Sequence, residues 1–321
     1  MYNSKHIATM SKNTTSKGKG RYAYLLFDAT FKVVVCTPEN EKLLIELIEL
    51  LIPEKHISSI EFINKEQHGL VVEEKNVTFD MLCLDKDTGE RFLVEVQNRE
   101  KDSYLDRILS YSTYPIREQL AVKLKKMREK KYDHMDYSLN PVYVISMIDF
   151  SLPHESDKAL EQEYISRYEI RNGRNGEILT RSLNFVFLEM GRLELEPGEP
   201  NKCKNLLEKF IFSMKNMHML TERPESFDDP LLVDLFNATE LASMSVQKRQ
   251  NYDRELLQEL DKMCEISFAR REGKTEAMLE ARADKEQTVR NMLADGMSPE
   301  LVAKYTSLSL EEIAAIKAKT S

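Results

Sequence analysis

Three polar side chains interrupt two short apolar runs in Val77–Glu100, VTFDMLCLDKDTGERFLVEVQNRE: Asp80 in the first run, Glu95 and Gln97 in the second. Acids where core residue types are expected are costly unless paired or bound to a metal. Residues two apart on a strand share a face, so Leu93, Glu95 and Gln97 point one way, while Asp80, Leu82 and Leu84 share a face of their own strand. Between the runs, Asp85-Lys86-Asp87-Thr88-Gly89-Glu90 is a turn signal, with Gly89 free to take a positive φ. If Asp85 and Glu90 close this loop, Asp80 falls opposite Glu95; another loop length would slip the register by one or two residues. Two carboxylates so placed lie ~4–6 Å apart and repel by about 4 kcal/mol at ~4 Å and an effective dielectric of about 20. A proton, a basic side chain or a divalent cation must offset that repulsion, and hard carboxylate oxygens suit Mg²⁺ or Mn²⁺ better than zinc. The bland alternative pairs Asp80 with Arg91 or Arg99, and Glu95 with Lys101.

The elements around this hairpin must position it. Thr37-Pro38-Glu39 starts a helix whose Leu43, Leu44, Leu47, Leu50 and Leu51 fall at helical spacing, and Pro53 stops it. A first strand is predicted within His56–Lys75. After the hairpin, residues 102–133 read as one long helix, or as two hinged before Pro115, with Tyr104, Ile108, Tyr111 and Leu120 facing inward. Arg107 and Tyr111 form an i, i+4 pair on that helix. Its end, Lys123 to Lys131, is the densest positive stretch in the chain; Lys123, Lys125, Lys126 and Arg128 are either a solvated helix face or contacts to phosphate, as Arg107 is also. Pro141–Leu152 is a continuous apolar run, as in a buried strand, and a further strand pair is predicted at 168–179 and 181–195. Strand, acid-bearing hairpin, helix and strand, in that order, are what a metal-dependent phosphodiesterase needs.

The chain has 321 residues, enough for one large or two modest domains. Residues 1–20 read as a disordered tail, 21–200 as an α/β core, and 201–321 as a helical region with a coiled-coil-like stretch and a terminal pair of capped helices. That pair could form a helix–turn–helix, though Glu311 and Glu312 make its second helix acidic and argue against a DNA reader. The net charge of −8 argues against a generally basic, nucleic-acid-coating surface but leaves room for a local patch. Cys36, Cys83, Cys203 and Cys264 have neither CxxC nor metal spacing, which fits reduced thiols in a cytoplasmic protein. No apolar run is long enough to span a membrane.

At these residues the sequence resembles the PD-(D/E)XK nuclease superfamily, and more closely the Rpn family of recombination-promoting nucleases and transposases. The matching features are Asp28-x-x-Phe31-Lys32, Asp80, Glu95-x-Gln97, Arg107 with Tyr111, and the C-terminal LADGMSPELVAKYTSLSLEEI. The resemblance implies a restriction-endonuclease-like αβββαβ core with a helical C-terminal region. It also implies Mg²⁺-dependent or Mn²⁺-dependent cleavage of DNA, with Asp80 and Glu95 as metal ligands and Gln97 and Lys32 as further catalytic residues. The last motif residue is usually lysine; here it is Gln97, which carries neither charge nor a transferable proton. Lys32 is a candidate source of the positive charge. A silent homologue acting as a DNA-binding or assembly module is the alternative, and a homodimer through the helical region is compatible with either.

Overall fold

In a computed structural model, the described residues are 20–26, 30–63, 79–100, 102–130, 134, 136–153 and 163–318. The expected tail (but for Gly20), Asp28 and Lys101 lie outside them. Helix α1 (Thr30–Val34) leads through a turn at Pro38–Asn40 into α2 (Glu41–Leu51). Asn40 joins the two helices by donating its amide to the carbonyls of Val34 and Val35 at 3.0 and 3.1 Å, groups that a helix end leaves without partners. Leu43, Leu44, Leu47, Ile48 and Leu51 form the buried stripe of α2.

The described strands form one mixed sheet in the order β1-β2-β3-β4-β6-β5. They are β1 (Ile60–Phe62), β2 (Met81–Asp85), β3 (Arg91–Gln97), β4 (Val142–Ile148), β5 (Ile165–Arg171) and β6 (Ile178–Glu189). β3, β4 and β6 run parallel, and the remaining pairs are antiparallel. The connection from β3 to β4 is α3 (Tyr104–Lys130), the helical crossover that a parallel pair requires. This α/β arrangement contains the expected αβββαβ order. α3 is one helix: Pro115 lies inside it, although proline removes an internal hydrogen bond. Burial of Tyr111 and Tyr114 beside the proline, against Phe79, Leu82, Leu93 and Phe187, outweighs that local cost. The predicted last strand pair is also redrawn. Asn172–Gly176 is the turn between β5 and β6, closed by Asn172 N–H donating to Glu177 O at 2.8 Å, with Gly176 at φ +73°. β5 begins earlier than predicted because its sequence, ISRYEIR, has too few apolar positions to announce a strand.

Beyond the sheet are α4 (Leu206–Asn216), α5 (Pro230–Thr239), α6 (Val246–Ala294), α7 (Pro299–Thr306) and α8 (Leu310–Ala318). Packing divides the chain into two units between Leu257 and Gln258. In the second unit, Val289, Val302, Ile313 and Ile316 bury one another. Several helix ends there have identifiable caps. Gly296 at φ +86° ends α6, with Met297 N–H reaching Met292 O at 3.1 Å. Ser309 and Glu312 form a reciprocal capping box, with Ser309 N–H donating to the carboxylate at 2.8 Å and Glu312 N–H donating back to the hydroxyl at 3.2 Å. Among the described residues, no helix is long and apolar enough to cross a membrane.

Candidate active site

The turn between β2 and β3 sets the site. Asp85 N–H donates to Glu90 O at 2.9 Å and Gly89 N–H to Asp85 O at 2.8 Å. Gly89 has φ +72°, a conformation that favours glycine, and a Cβ there would displace the Asn140 amide, whose nitrogen it would meet at 2.3 Å. The buried Asp85 carboxylate ties the turn further, accepting from Asp87 N–H at 2.9 Å and Thr88 Oγ1 at 2.7 Å. With this closure Met81 pairs with Val94, and one step beyond that pair Asp80 stands beside Glu95. Asp80 Oδ2 accepts the Val96 N–H at 2.8 Å, which anchors the carboxylate to β3.

Glu95 is 7% exposed and Gln97 is 1% exposed. Across the parallel pair Glu95 lies in register with Ser146 of β4, whose hydroxyl faces the Tyr104 phenol. Burial pushes that phenol above its ordinary range, and the Glu95 carboxylate adds to the rise. Arg107 reaches the same place from the second turn of α3. Its Nη2 donates to Gln97 Oε1 and lies 3.8 Å from Glu95 Oε1. The guanidinium carbon sits 5.4 Å from the Tyr104 ring centre and 5.7 Å from that of Tyr111. Each such cation–π contact is worth ~0.5–2 kcal/mol, more as water is excluded.

Thus Asp80, Glu95, Gln97 and Arg107 meet at the carboxyl end of β3. Arg91, one bland partner weighed for Asp80, is instead held by Glu118 at 2.8 Å and by Gly89 O at 2.7 Å. Lys32 lies on the exposed side of α1. Both Lys32 and Asp80 act on the half-buried Cys36 thiol, which burial and then Asp80 push up while Lys32 opposes them. Of the basic run, Lys123 is engaged by Asp136 at 2.7 Å and by Ser138. That contact, first among its causes, holds the Asp136 carboxyl down to about 2. Lys125, Lys126 and Arg128 are exposed. Lys125 stands ~27 Å along α3 from Arg107 at 1.5 Å per residue.

Tyr104 and Ser146 were not predicted as site residues. Ser146 had one available signal, a lone serine within the apolar run of β4. Among the described residues no group of three or more His, Cys, Asp and Glu is arranged to hold a metal ion. The site offers two carboxylates on adjacent strands, one of them buried, a set that suits a hard cation keeping several of its waters. A separate cavity of about 740 Å³ opens near the start of β3 and β4, lined in part by Lys55, Tyr143, Arg167 and Arg171. Three of its cations are already held, Lys55 by Glu90 at 2.7 Å, Arg167 by Glu54 at 2.9 Å and Arg171 by Glu169 at 2.5 Å, and Arg181 lines the same cavity.

A family model described as PD-(D/E)XK nuclease family transposase matches residues 25–269. A second, described as Rpn/YhgA-like nuclease family, C-terminal HTH domain, matches residues 290–318, which span the end of α6, α7 and α8. No curated protein and no solved structure matches the chain.

Proposed function

Since this chain belongs to the PD-(D/E)XK nuclease family of transposases, we propose that it is a metal-dependent DNA endonuclease that promotes recombination or transposition. The observation that carries this reading is the register placing Asp80 beside the buried Glu95, with the Gln97 amide two residues further along the same strand face. Asp80 and Glu95 would hold Mg²⁺ or Mn²⁺, which when bound neutralises charge developing on the phosphate and lowers the pKa of a coordinated water. Gln97, Lys32 and Arg107 complete the proposed site. Gln97 contributes amide donors for a phosphate oxygen or water, Arg107 a charge held between two tyrosines, and Lys32 an exposed ammonium on α1. None of them is an evident general base, so these residues would bind and orient the phosphate and the attacking water and would leave removal of its proton to solvent.

The direct test is conversion of supercoiled plasmid to nicked and linear forms under titration with Mg²⁺ or Mn²⁺. Cleavage is expected with either ion and none in chelator. No cleavage by wild type across the titration, or equal cleavage in chelator, would overturn the reading and leave a DNA-binding or assembly role.

DNA lying along α3 would pass from the site to Lys125 and Lys126 over ~27 Å, about eight base pairs at ~3.4 Å each. Charge reversal of both lysines is therefore expected to weaken binding and make the slope of log K against log salt shallower by roughly 2, one unit per lost phosphate contact. Titrations at several salt concentrations read this directly; an unchanged slope returns both residues to a solvated helix face.

A further inference from the structure

Gln97 stands where the resemblance leads one to expect lysine, and the side chain in contact with it is Arg107. A guanidinium can only donate, so the atom it meets on Gln97 must be the carbonyl oxygen. That chemistry fixes which way the amide points, a choice that shape alone leaves ambiguous. The other end of the amide, Nε2, is buried and has no hydrogen-bond acceptor among the described residues. Buried donors are almost always satisfied, so one held in place without an acceptor points to a ligand oxygen. Arg107 is itself fixed. Its stem emerges from the second turn of α3, and its head lies over Tyr104 three residues before it and Tyr111 four residues after it.

We propose that Arg107 is the positioning residue of this site: it supplies the positive charge absent at position 97 and locks the Gln97 amide so that Nε2 donates to a non-bridging oxygen of the scissile phosphate. The inference rests on the nuclease reading for the identity of that oxygen, but the locking of the amide is measurable without DNA or metal. The variant of choice is Arg107→Met, which keeps an apolar stem between the tyrosines while removing charge and donors; Arg107→Lys restores a charge and a donor.

Two measurements decide it. By NMR on the full chain, the Gln97 side-chain amide protons, assigned by their loss in Gln97→Glu, should exchange with water at least tenfold faster in Arg107→Met than in wild type. In plasmid cleavage, Arg107→Met should lower kcat by about 100-fold, the usual effect of losing one preorganised donor, with KM changed less than threefold. Arg107→Lys should recover at least tenfold, as should Gln97→Lys placed in the Arg107→Met background. Amide exchange unchanged in a folded Arg107→Met protein overturns the proposal whether or not the wild type cuts DNA. So does an unrescued loss in both lysine variants. A wild type that never cleaves defeats the nuclease reading alone, and the amide measurement still decides the role of Arg107.

Discussion

Asp80→Asn and Glu95→Gln are each expected to lower metal-dependent cleavage by at least ~10³-fold without unfolding the protein. The size follows from the several kcal/mol by which a coordinated cation stabilises charge in the transition state, of which ~4 kcal/mol corresponds to about 10³ in rate. The retention of structure follows from the local bonding. Asp80 Oδ2 accepts the Val96 N–H at 2.8 Å, and an asparagine carbonyl accepts the same bond. Glu95 and Asp80 occupy facing strand positions, whose Cβ atoms generally lie ~5 Å apart, and two negative charges at that spacing repel by about 3 kcal/mol at an effective dielectric of about 20. Arg107, 3.8 Å from Glu95, offsets part of that repulsion. Neutralising Asp80 removes its repulsion of Glu95, so the melting temperature of Asp80→Asn should hold within a few degrees, whereas Glu95→Gln also gives up the ion pair with Arg107 and should lower it modestly. Loss of activity with little change in stability marks residues held in place for chemistry. An Asp80→Asn protein that cuts within tenfold of wild type would remove the aspartate from the site. A fall of many degrees in its melting temperature would make the aspartate a structural anchor instead.

The hairpin was legible from sequence because everything that fixes it is local. Gly89 permits the turn, Asp85 and Glu90 close it, and strand parity then brings Asp80 to Glu95 with no reference to the rest of the chain. Arg107 was visible as an i, i+4 neighbour of Tyr111, a candidate phosphate contact and part of the family resemblance, but its contact with Gln97 was not. That contact depends on how the chain turns from β3 into α3, where Ser103 takes φ +57° and its carbonyl accepts from Arg107 N–H at 3.0 Å. Serine gives little warning of a left-handed conformation, which favours glycine and asparagine. Ser146 was hidden for a different reason. It meets Glu95 through the parallel register of β3 and β4, which is set only after 44 residues of connection have packed through α3. The uninterrupted course of α3 through Pro115 was likewise settled by tertiary burial and not by local propensity. At the C-terminus the caps were local and readable, and they frame the helix pair that the C-terminal HTH model matches.

Glu189→Leu should destabilise the protein by ~3–5 kcal/mol, the usual result of removing one partner of a buried ion pair. Glu189 ends β6 and is fully buried, with 0% of its surface exposed. One oxygen accepts from Leu152 N–H at 2.8 Å and from Arg192 at 2.8 and 3.0 Å, and the other accepts the Ser166 hydroxyl. A single carboxylate thus joins the chain leaving β4, the edge strand β5 and the turn after β6. Leucine would remove acceptors from three segments at once and leave the Arg192 guanidinium, 8% exposed, without this counter-charge. Glutamine can replace only some of those acceptors and should cost less. Replacing both partners, as Glu189→Leu with Arg192→Leu, should recover part of the loss, because the penalty lies largely in stranding the buried cation. Denaturant unfolding reads all three variants on one scale. A Glu189→Leu loss below ~1 kcal/mol, or a double variant no more stable than the single one, would mean that water reaches Arg192 and that the network does not brace this end of the sheet. Bracing there would bear on the proposed site: Asp149 N–H, in the segment leaving β4, donates to the carbonyl of Gln97 at 2.9 Å. The same segment runs on to Leu152 and Glu189, so the backbone that presents the Gln97 amide is tied to this buried ion pair.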